Sequence, residues 1–356
     1  MPELLDRTAP VREGEELDVA KLEPYLRSAL GISDGAFAIE QFPGGHSNLT
    51  YAVRIGAREM VLRRPPFGSK VKAAHDMGRE HTILAAIHPI FPPAPKPLVY
   101  CEDESVIGAK FYAMERIRGV ILRRDKPAGM QITPELVSRT CRSIFETLAD
   151  LHALDWRAVG LESLQRKEGP FIERQVEGWH KRYAGSKTHD VEHLEEVFAW
   201  CRAGLPGDLG AVLIHNDYKF DNLILGADDL SKVVGVLDWE MSTIGDPLFD
   251  LGVALSYWVN PDERDTVSTS RCFITDEDGS LTRRELADVY GARSGRDVSN
   301  LHWYYVFAII KLAVVLQQIY YRYHHGLTKD ARFGPLIEAV RALARQAAAS
   351  IDKGSI

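Results

Sequence analysis

The sequence feature that most constrains the fold is a polar segment enclosed by two short apolar runs. The apolar runs are Leu213-Ile214 and Leu223-Ile224-Leu225, and the eight residues between them include two aspartates, two asparagines, a lysine and a histidine. These side chains cannot all be core residues, because a buried polar group without a partner costs free energy. The apolar runs therefore predict short strands, and the segment between them predicts a loop that presents functional side chains at one edge of a sheet.

The spacing within this loop indicates phosphoryl transfer. Asp217 and Asn222 have four residues between them, which is the Asp-x4-Asn spacing of kinase catalytic loops. In such a loop the aspartate accepts the proton of a substrate hydroxyl, and the asparagine carries a magnesium ion. A second apolar run ends in Leu237-Asp238-Trp239-Glu240, where a kinase keeps its main metal-binding aspartate. Because magnesium prefers hard oxygen ligands, we expect Asn222 and Asp238 to hold Mg²⁺.

Length and composition exclude several classes of protein. A chain of 356 residues is too long for one compact core and predicts two domains. Its formal net charge of −7 argues against a nucleic-acid partner. The most apolar run, Val306–Leu316, is interrupted by Lys311 and is shorter than the roughly 20 residues that cross a bilayer, so we expect no membrane segment. The cysteines lie far apart and the N-terminus has no apolar signal region, so we expect a cytoplasmic protein.

Apolar periodicity predicts a mixed first lobe over residues 1–116. A helix is expected at Leu17–Leu30 and a second one at about Ala73–Ile87. Five strand-like segments are predicted at Phe37–Phe42, Thr50–Ile55, Glu59–Arg63, Leu98–Cys101 and Phe111–Glu115. Together they favour an antiparallel sheet with one key helix beside it.

The remainder, residues 117–356, predicts a mainly helical second lobe. Thr133–Leu154 has the spacing of a long amphipathic helix, with His152 on its apolar face, where we expect packing at the edge of the core. Short strands are predicted at Ala211–Ile214, Asn222–Leu225 and Val233–Leu237. The overall prediction is therefore an α+β fold of two lobes.

The two motifs, in this order and at this spacing, make the chain similar to the aminoglycoside phosphotransferase and choline kinase superfamily. Within that superfamily it most resembles the branch related to kinase-like domains fused to acyl-CoA dehydrogenases, over nearly the whole chain. The resemblance implies a bilobal protein-kinase-like fold, with ATP and Mg²⁺ as cofactors and a small-molecule hydroxyl as the acceptor. The chain differs from protein kinases in having Trp-Glu, instead of Phe-Gly, after Asp238.

The resemblance also implies a role for each residue of the loop. Asp217 would be the catalytic base, with Asn222 and Asp238 as metal ligands. Lys219 stands two residues after the base, where protein kinases keep a lysine that meets the transferred phosphate. His215 would brace the loop, and Asp250 would hydrogen-bond the loop backbone.

In the first lobe, three segments are expected to hold the nucleotide. Phe42–Tyr51 predicts a turn whose backbone N–H groups can cover phosphates, since glycines let the chain approach closely. Arg63 lies where kinases place the phosphate-binding lysine, with Glu80 as its partner, and neighbouring Arg64 is the alternative. Tyr112–Ile117 resembles the inter-lobe hinge, whose backbone at Glu115 and Ile117 would bind adenine. The candidate nucleotide-binding residues are Gly44, Gly45, Ser47, Asn48, Arg63, Glu80, Met114, Glu115 and Ile117.

The sequence leaves the acceptor open. Likeness to antibiotic kinases suggests an aminoglycoside, likeness to the dehydrogenase-fused branch suggests a hydroxyacyl-CoA, and likeness to choline kinases suggests an amino alcohol. Basic residues in the C-terminal segment suit an anionic or CoA-like substrate; they are Arg322, Lys329, Arg332, Arg341 and Arg345. A nucleotide-binding pseudokinase with a regulatory role is the non-enzymatic alternative. The oligomeric state is not predicted.

Overall fold

The computed structural model describes residues 7–43, 48–67, 76–127, 129–165, 169–207, 209–260, 263 and 272–356. The chain divides into two compact units. The first unit consists of Met1–Ile121, Trp156–Leu161 and Asn222–Met241, and the second consists of Leu122–Asp155, Glu162–Asp221 and Ser242–Ile356. The division into lobes after residue 116 stays a prediction.

In the first unit the described residues form a five-stranded antiparallel sheet with the order β1-β2-β3-β5-β4. The strands are β1 (Phe37–Gln41), β2 (Leu49–Ile55), β3 (Arg58–Arg64), β4 (Pro97–Cys101) and β5 (Phe111–Glu115). Helix α1 (Val19–Leu30) begins after Asp18, whose side chain accepts the N–H of Lys21, and shares a core with the sheet. All five predicted strands are present; β2 shows apolar alternation, whereas β3 and β5 are nearly continuous buried runs.

Helix α2 (Met77–Ile87) carries Glu80, one of the residues predicted to bind the nucleotide. It begins at Met77 because the Asp76 side chain accepts the N–H of Arg79 and caps the first turn. Residues 73–75, where the predicted helix starts, lie outside the described residues. A small two-stranded sheet of β7 (Leu223–Leu225) and β8 (Val233–Val236) completes the unit.

The second unit is mainly helical, as predicted. Its helices are α3 (Pro134–His152), α4 (Phe171–Ser186), α5 (Leu194–Ala203), α6 (Pro247–Ser256), α7 (Arg283–Ser294), α8 (Leu301–His324) and α9 (Leu336–Lys353). Strand β6 (Val212–Ile214) pairs antiparallel with β9 (Thr243–Gly245). The sequence analysis did not predict β9, since its three residues, Thr243-Ile244-Gly245, include only one large apolar side chain.

Helix α8 lies at the centre of the second unit and packs against α4, α5, α6 and α9. It has 24 residues and is long and apolar enough to span a membrane by those two criteria, but 78% of its most apolar stretch is buried inside the protein. It extends beyond the apolar run Val306–Leu316, with mainly aromatic residues before that run and more polar residues after it. Lys311 lies in the middle of this core helix.

Candidate active site

In the first unit, Arg63 on β3 is the centre of a buried ion-pair network. One guanidinium nitrogen, Nη1, donates to Glu80 on α2, and the other, Nη2, donates to Oδ1 of Asp238 at 2.8 Å. Burial lowers the pKa of Arg63, but the carboxylates of Glu80 and Asp238 outweigh this effect and hold it well above its ordinary value. The structure therefore brings together three residues that the sequence placed in one site.

The alternative, Arg64, lies elsewhere. Neighbouring residues in a strand point to opposite faces, so Arg64 is directed away from Glu80. Its Nη1 donates to the carbonyl of Ile107 at 3.0 Å, and its guanidinium stacks 3.6 Å from the ring centre of Phe67. Of the two arginines, it is Arg63 that contacts Glu80 and Asp238.

The segment Asp238-Trp239-Glu240 follows β8 and turns sharply. Asp238 has a φ of 68°, a left-handed conformation that aspartate tolerates better than most residues. Trp239 fixes the turn, since its indole N–H donates to the carbonyl of Val236 at 2.8 Å and its ring packs edge-on against Phe91. The turn therefore presents the Asp238 carboxylate towards Arg63.

Glu240 is a member of this site that the sequence analysis missed. The side-chain amide of Asn48 donates to its carboxylate at 2.5 Å, and Arg79 on α2 donates to its backbone carbonyl at 2.7 Å. These contacts link a predicted nucleotide-binding residue, Asn48, and helix α2 to the predicted metal-binding segment. The Trp-Glu pair in place of Phe-Gly was the available signal.

The donor set of Asn222 and Asp238 fits a magnesium ion. The N–H of Leu237 donates to the Asn222 carbonyl at 2.7 Å, which joins the backbone next to Asp238 to Asn222. The amide oxygen of Asn222 and the carboxylate of Asp238 are hard donors, and Mg²⁺ is commonly bound by one or two carboxylates together with phosphates and water.

The predicted hinge lies at the end of β5. Met114 is buried, and the N–H of Glu115 already donates to the carbonyl of Lys96 at 2.8 Å. Ile117 packs so closely on Gly235 that a Cβ there would lie 3.2 Å from the Ile117 Cδ1. Three other candidates, Gly44, Gly45 and Ser47, lie outside the described residues.

In the second unit, the loop after β6 carries Asp217. Lys219 Nζ lies 3.0 Å from Oδ2 of Asp217, and the hydroxyl of Tyr257, just after α6, donates to Oδ1 at 3.4 Å. Burial lowers the pKa of Lys219, but the Asp217 carboxylate outweighs it and raises the pKa above its ordinary value. Lys219 is therefore a charged partner of Asp217, and Tyr257 is a contact that the sequence did not predict.

A buried carboxylate anchors the backbone of this loop. Asp250 on α6 accepts the N–H of His215 at 2.6 Å and the N–H of Asn216 at 2.7 Å. His152 on α3 lies 3.1 Å from Asp250 through Nε2 and 2.7 Å from the Tyr290 hydroxyl through Nδ1. Burial raises the pKa of Asp250, but its hydrogen bonds with His152 and the loop outweigh this effect and hold the pKa below its ordinary value. Asp250 is therefore ionised.

This network corrects the expectation for His152 and bears on that for His215. His152 does not pack at the edge of the core; it is fully buried and hydrogen-bonded to Asp250. His215 is also buried, and its Nδ1 accepts the N–H of Asp217 at 3.3 Å. His152 thus contacts Asp250, which holds the loop, and His215 contacts the loop backbone at Asp217.

Comparison with known proteins identifies the family of the chain. Residues 38–280, more than half of the chain, match the model of a family described as "Phosphotransferase enzyme family". Acyl-CoA dehydrogenase family member 10 of Mus musculus is 32% identical over 342 residues, which cover 95% of this chain and 32% of that protein. The chain thus spans about a third of that relative's length.

Two solved structures are similar over almost their whole length. A protein from Ralstonia eutropha, named provisionally as an aminoglycoside phosphotransferase, has a TM-score of 0.79 at 27% identity, covering 95% of this chain and 99% of that one. The choline kinase from Cryptosporidium parvum has a TM-score of 0.64 at 13% identity, covering 95% and 97%, and bears on the fold alone. The predicted α+β, kinase-like fold class is confirmed.

Proposed function

Because the chain belongs to the phosphotransferase enzyme family, we propose that it transfers the γ-phosphate of ATP to a hydroxyl group of a small molecule. The observation that carries this proposal is the buried Arg63, whose guanidinium contacts both Glu80 and Asp238. A charge held between a helix carboxylate and a metal-binding carboxylate is the arrangement that kinases use to bind nucleotide phosphates.

In this proposal residues of the first unit bind the nucleotide. Arg63 binds the phosphates, and Asn222 and Asp238 hold Mg²⁺, which when bound neutralises phosphate charge. The turn residues Gly44, Gly45, Ser47 and Asn48 cover the phosphates. Adenine lies against Met114 and Ile117, and its contact at Glu115 falls to the carbonyl because the N–H is already bonded.

Asp217 is the proposed base. Its carboxylate orients the acceptor hydroxyl and accepts the proton as the oxygen attacks the γ-phosphorus, whose bond to the bridging oxygen breaks so that ADP leaves. Lys219, held beside Asp217, meets the transferred phosphate. Most of the rate gain comes from positioning and charge neutralisation.

A hydroxyacyl-CoA is the acceptor we favour, since a relative matching 95% of the chain is named for acyl-CoA chemistry. An aminoglycoside and an amino alcohol are the other candidates, because the two similar structures carry those names. A cytoplasmic location, with no nucleic-acid or membrane partner, remains our prediction.

The test is ADP release with ATP and Mg²⁺ across a panel of hydroxyacyl-CoA esters, aminoglycosides, choline and ethanolamine. One class should stimulate release, and Asp217→Ala should reduce the stimulated rate by about 1,000-fold while nucleotide binding persists. Asp221→Ala is the matched control, because Asp221 is an exposed aspartate of the same loop with no proposed role. Nucleotide binding without stimulation by any acceptor would contradict transfer to these acceptors and favour a regulatory pseudokinase.

A further inference from the structure

The buried lysine of helix α8 contacts the residue that precedes the proposed base. Lys311 Nζ lies 2.6 Å from Oδ1 of Asn216 and 2.9 Å from the Asn216 carbonyl oxygen. The ammonium group also lies beside two aromatic rings, 5.1 Å from the ring centre of Phe249 and 5.7 Å from that of Trp179. It is thus enclosed between α8, α4, α6 and the loop.

Burying this ammonium group opposes folding. Burial lowers the pKa of Lys311 to about 8, although Asp217 and Asp250 favour its charged form. An apolar side chain in the middle of a core helix would avoid that desolvation. The lysine therefore does not serve chiefly to stabilise α8, and its effect is to be sought in the group it binds.

That group is the peptide bond that leads into Asp217. Asn216 has a φ of 68°, a left-handed conformation that is unfavourable for residues other than glycine, although asparagine tolerates it better than most. Asp250 holds the N–H groups of His215 and Asn216 on one side of the loop. Lys311 holds the Asn216 carbonyl, which belongs to the same peptide bond as the Asp217 nitrogen.

We propose that Lys311 is a positioning residue that fixes the Asn216–Asp217 peptide and thereby holds the Asp217 carboxylate for phosphoryl transfer. Its catalytic consequence rests on the proposed function, whereas its effect on the loop does not. The lysine does not touch the reacting groups in this account; it acts through Asn216. A displacement of a catalytic group by about 1 Å can cost about 100-fold in rate. Losing the contact between Lys311 and Asn216 should therefore have a measurable effect on turnover.

The test compares Lys311→Met with Lys311→Arg, which keeps charge and donors. Amide hydrogen exchange is measured in peptides covering residues 213–221, together with kcat and the KM for MgATP. Gln317→Leu is the matched control, because Gln317 is also a buried polar residue of α8 but its amide donates to Ser186 and Thr188. Asn216→Gly is a second variant: glycine accepts the left-handed conformation, and the change removes the side-chain amide with its Oδ1 acceptor while keeping the backbone carbonyl that Lys311 contacts.

In Lys311→Met we expect loop exchange to accelerate about tenfold, the equivalent of losing one hydrogen bond to a charged group. We expect kcat to fall about 100-fold with the KM for MgATP little changed. Lys311→Arg should restore slow exchange and most of kcat, Asn216→Gly should give an intermediate acceleration, and Gln317→Leu should leave the loop unchanged.

Unchanged loop exchange in Lys311→Met or Asn216→Gly would overturn the proposal, as would faster exchange spread evenly over α8 and α9 in Lys311→Met. An inactive wild type would remove the proposed function and leave the exchange test valid.

Discussion

The two compact units hold their proposed catalytic groups in opposite ways. In the first, side chains hold one another, since Arg63 binds Glu80 and Asp238. In the second, buried side chains hold the backbone itself, since Asp250 and Lys311 bind the peptide groups around Asn216. The first arrangement can exchange partners when phosphates arrive, whereas the second is organised beforehand. Losing a partner should therefore cost nucleotide affinity in the first unit, and stability or turnover in the second.

The largest effect is expected from Asp250→Asn, which tests whether the second unit depends on a buried anchor. The substitution replaces one acceptor oxygen by an NH₂ group that faces a backbone N–H or His152. Leaving buried groups unpaired in this way should lower the free energy of unfolding by about 3 kcal/mol or more. Urea unfolding followed by tryptophan fluorescence measures it.

Asp150→Asn is the control for that measurement. Asp150 pairs with Arg293 at 2.7 Å, but both side chains are about half exposed, so solvent screens the pair. Its loss should cost less than about 1 kcal/mol. Equal effects of the two substitutions would contradict the idea that burial makes Asp250 an anchor.

The next largest effect is the pH dependence that Lys311 gives to stability. The pKa of Lys311 is about 8 in the folded protein and has its ordinary value of 10.5 in the unfolded chain. Between these pH values the unfolded chain binds more protons, so the free energy of unfolding rises with pH. Over the whole interval the wild type should gain about 3 kcal/mol relative to Lys311→Met.

Urea unfolding of both proteins at several pH values between 8 and 10.5 measures this gain, and the difference cancels other groups that titrate there. Four charged groups act on Lys311: Asp217 and Asp250 favour its charged form, while Lys219 and Arg182 oppose it. A difference that does not change with pH would show that Lys311 titrates normally. A stability that falls with pH, relative to Lys311→Met, would reverse the sign and contradict the buried-ammonium account.

The two ways of holding groups also explain what could be predicted from the sequence. Asp217 and Asp238 follow short strands, Asn222 precedes one, and their spacing is fixed, so local patterns identify them. The five strands of the first unit are short segments rich in apolar residues, which local patterns also identify. Among the residues that hold the loop, Asp250 is predicted only by the family resemblance, and no local pattern predicts the contacts of His152 and Lys311. His152 and Asp250 are 98 positions apart, and Lys311 and Asn216 are 95 apart.

Lys311 shows what the sequence did contain. In the sequence it interrupts an apolar run, and in the structure it is buried in the middle of α8. A lysine flanked by apolar residues on both sides of a helix implies a buried charge, and a buried charge implies a partner. The identity of that partner depends on the packing of α8 against α6 and the loop, which no local pattern supplies.

A smaller effect is expected from Arg63→Lys, which tests the side-chain network of the first unit. Lysine keeps the charge but loses the planar fork that contacts Glu80 and Asp238 at once. We expect MgATP to bind about tenfold more weakly, as measured by titration with a fluorescent nucleotide. Arg64→Lys is the matched control, since Arg64 bonds to Ile107 and does not contact Glu80 or Asp238 in the structure. A larger loss of affinity in Arg64→Lys than in Arg63→Lys would show that Arg64, and not Arg63, binds the phosphates.

The smallest effect is expected from Asn48→Ala, and its size distinguishes two roles for that side chain. If Asn48 acts through Glu240, its loss removes one hydrogen bond within the network, and nucleotide affinity should fall about threefold. If the Asn48 amide leaves Glu240 and binds a phosphate directly, it forms a charge-assisted bond, and affinity should fall by more than about tenfold. Glu240→Gln separates the cases further, because it keeps an acceptor oxygen but removes the charge beside Arg63. In the first case the double variant should lose less than the sum of the single losses, whereas independent losses would show that Asn48 and Glu240 act on the nucleotide separately.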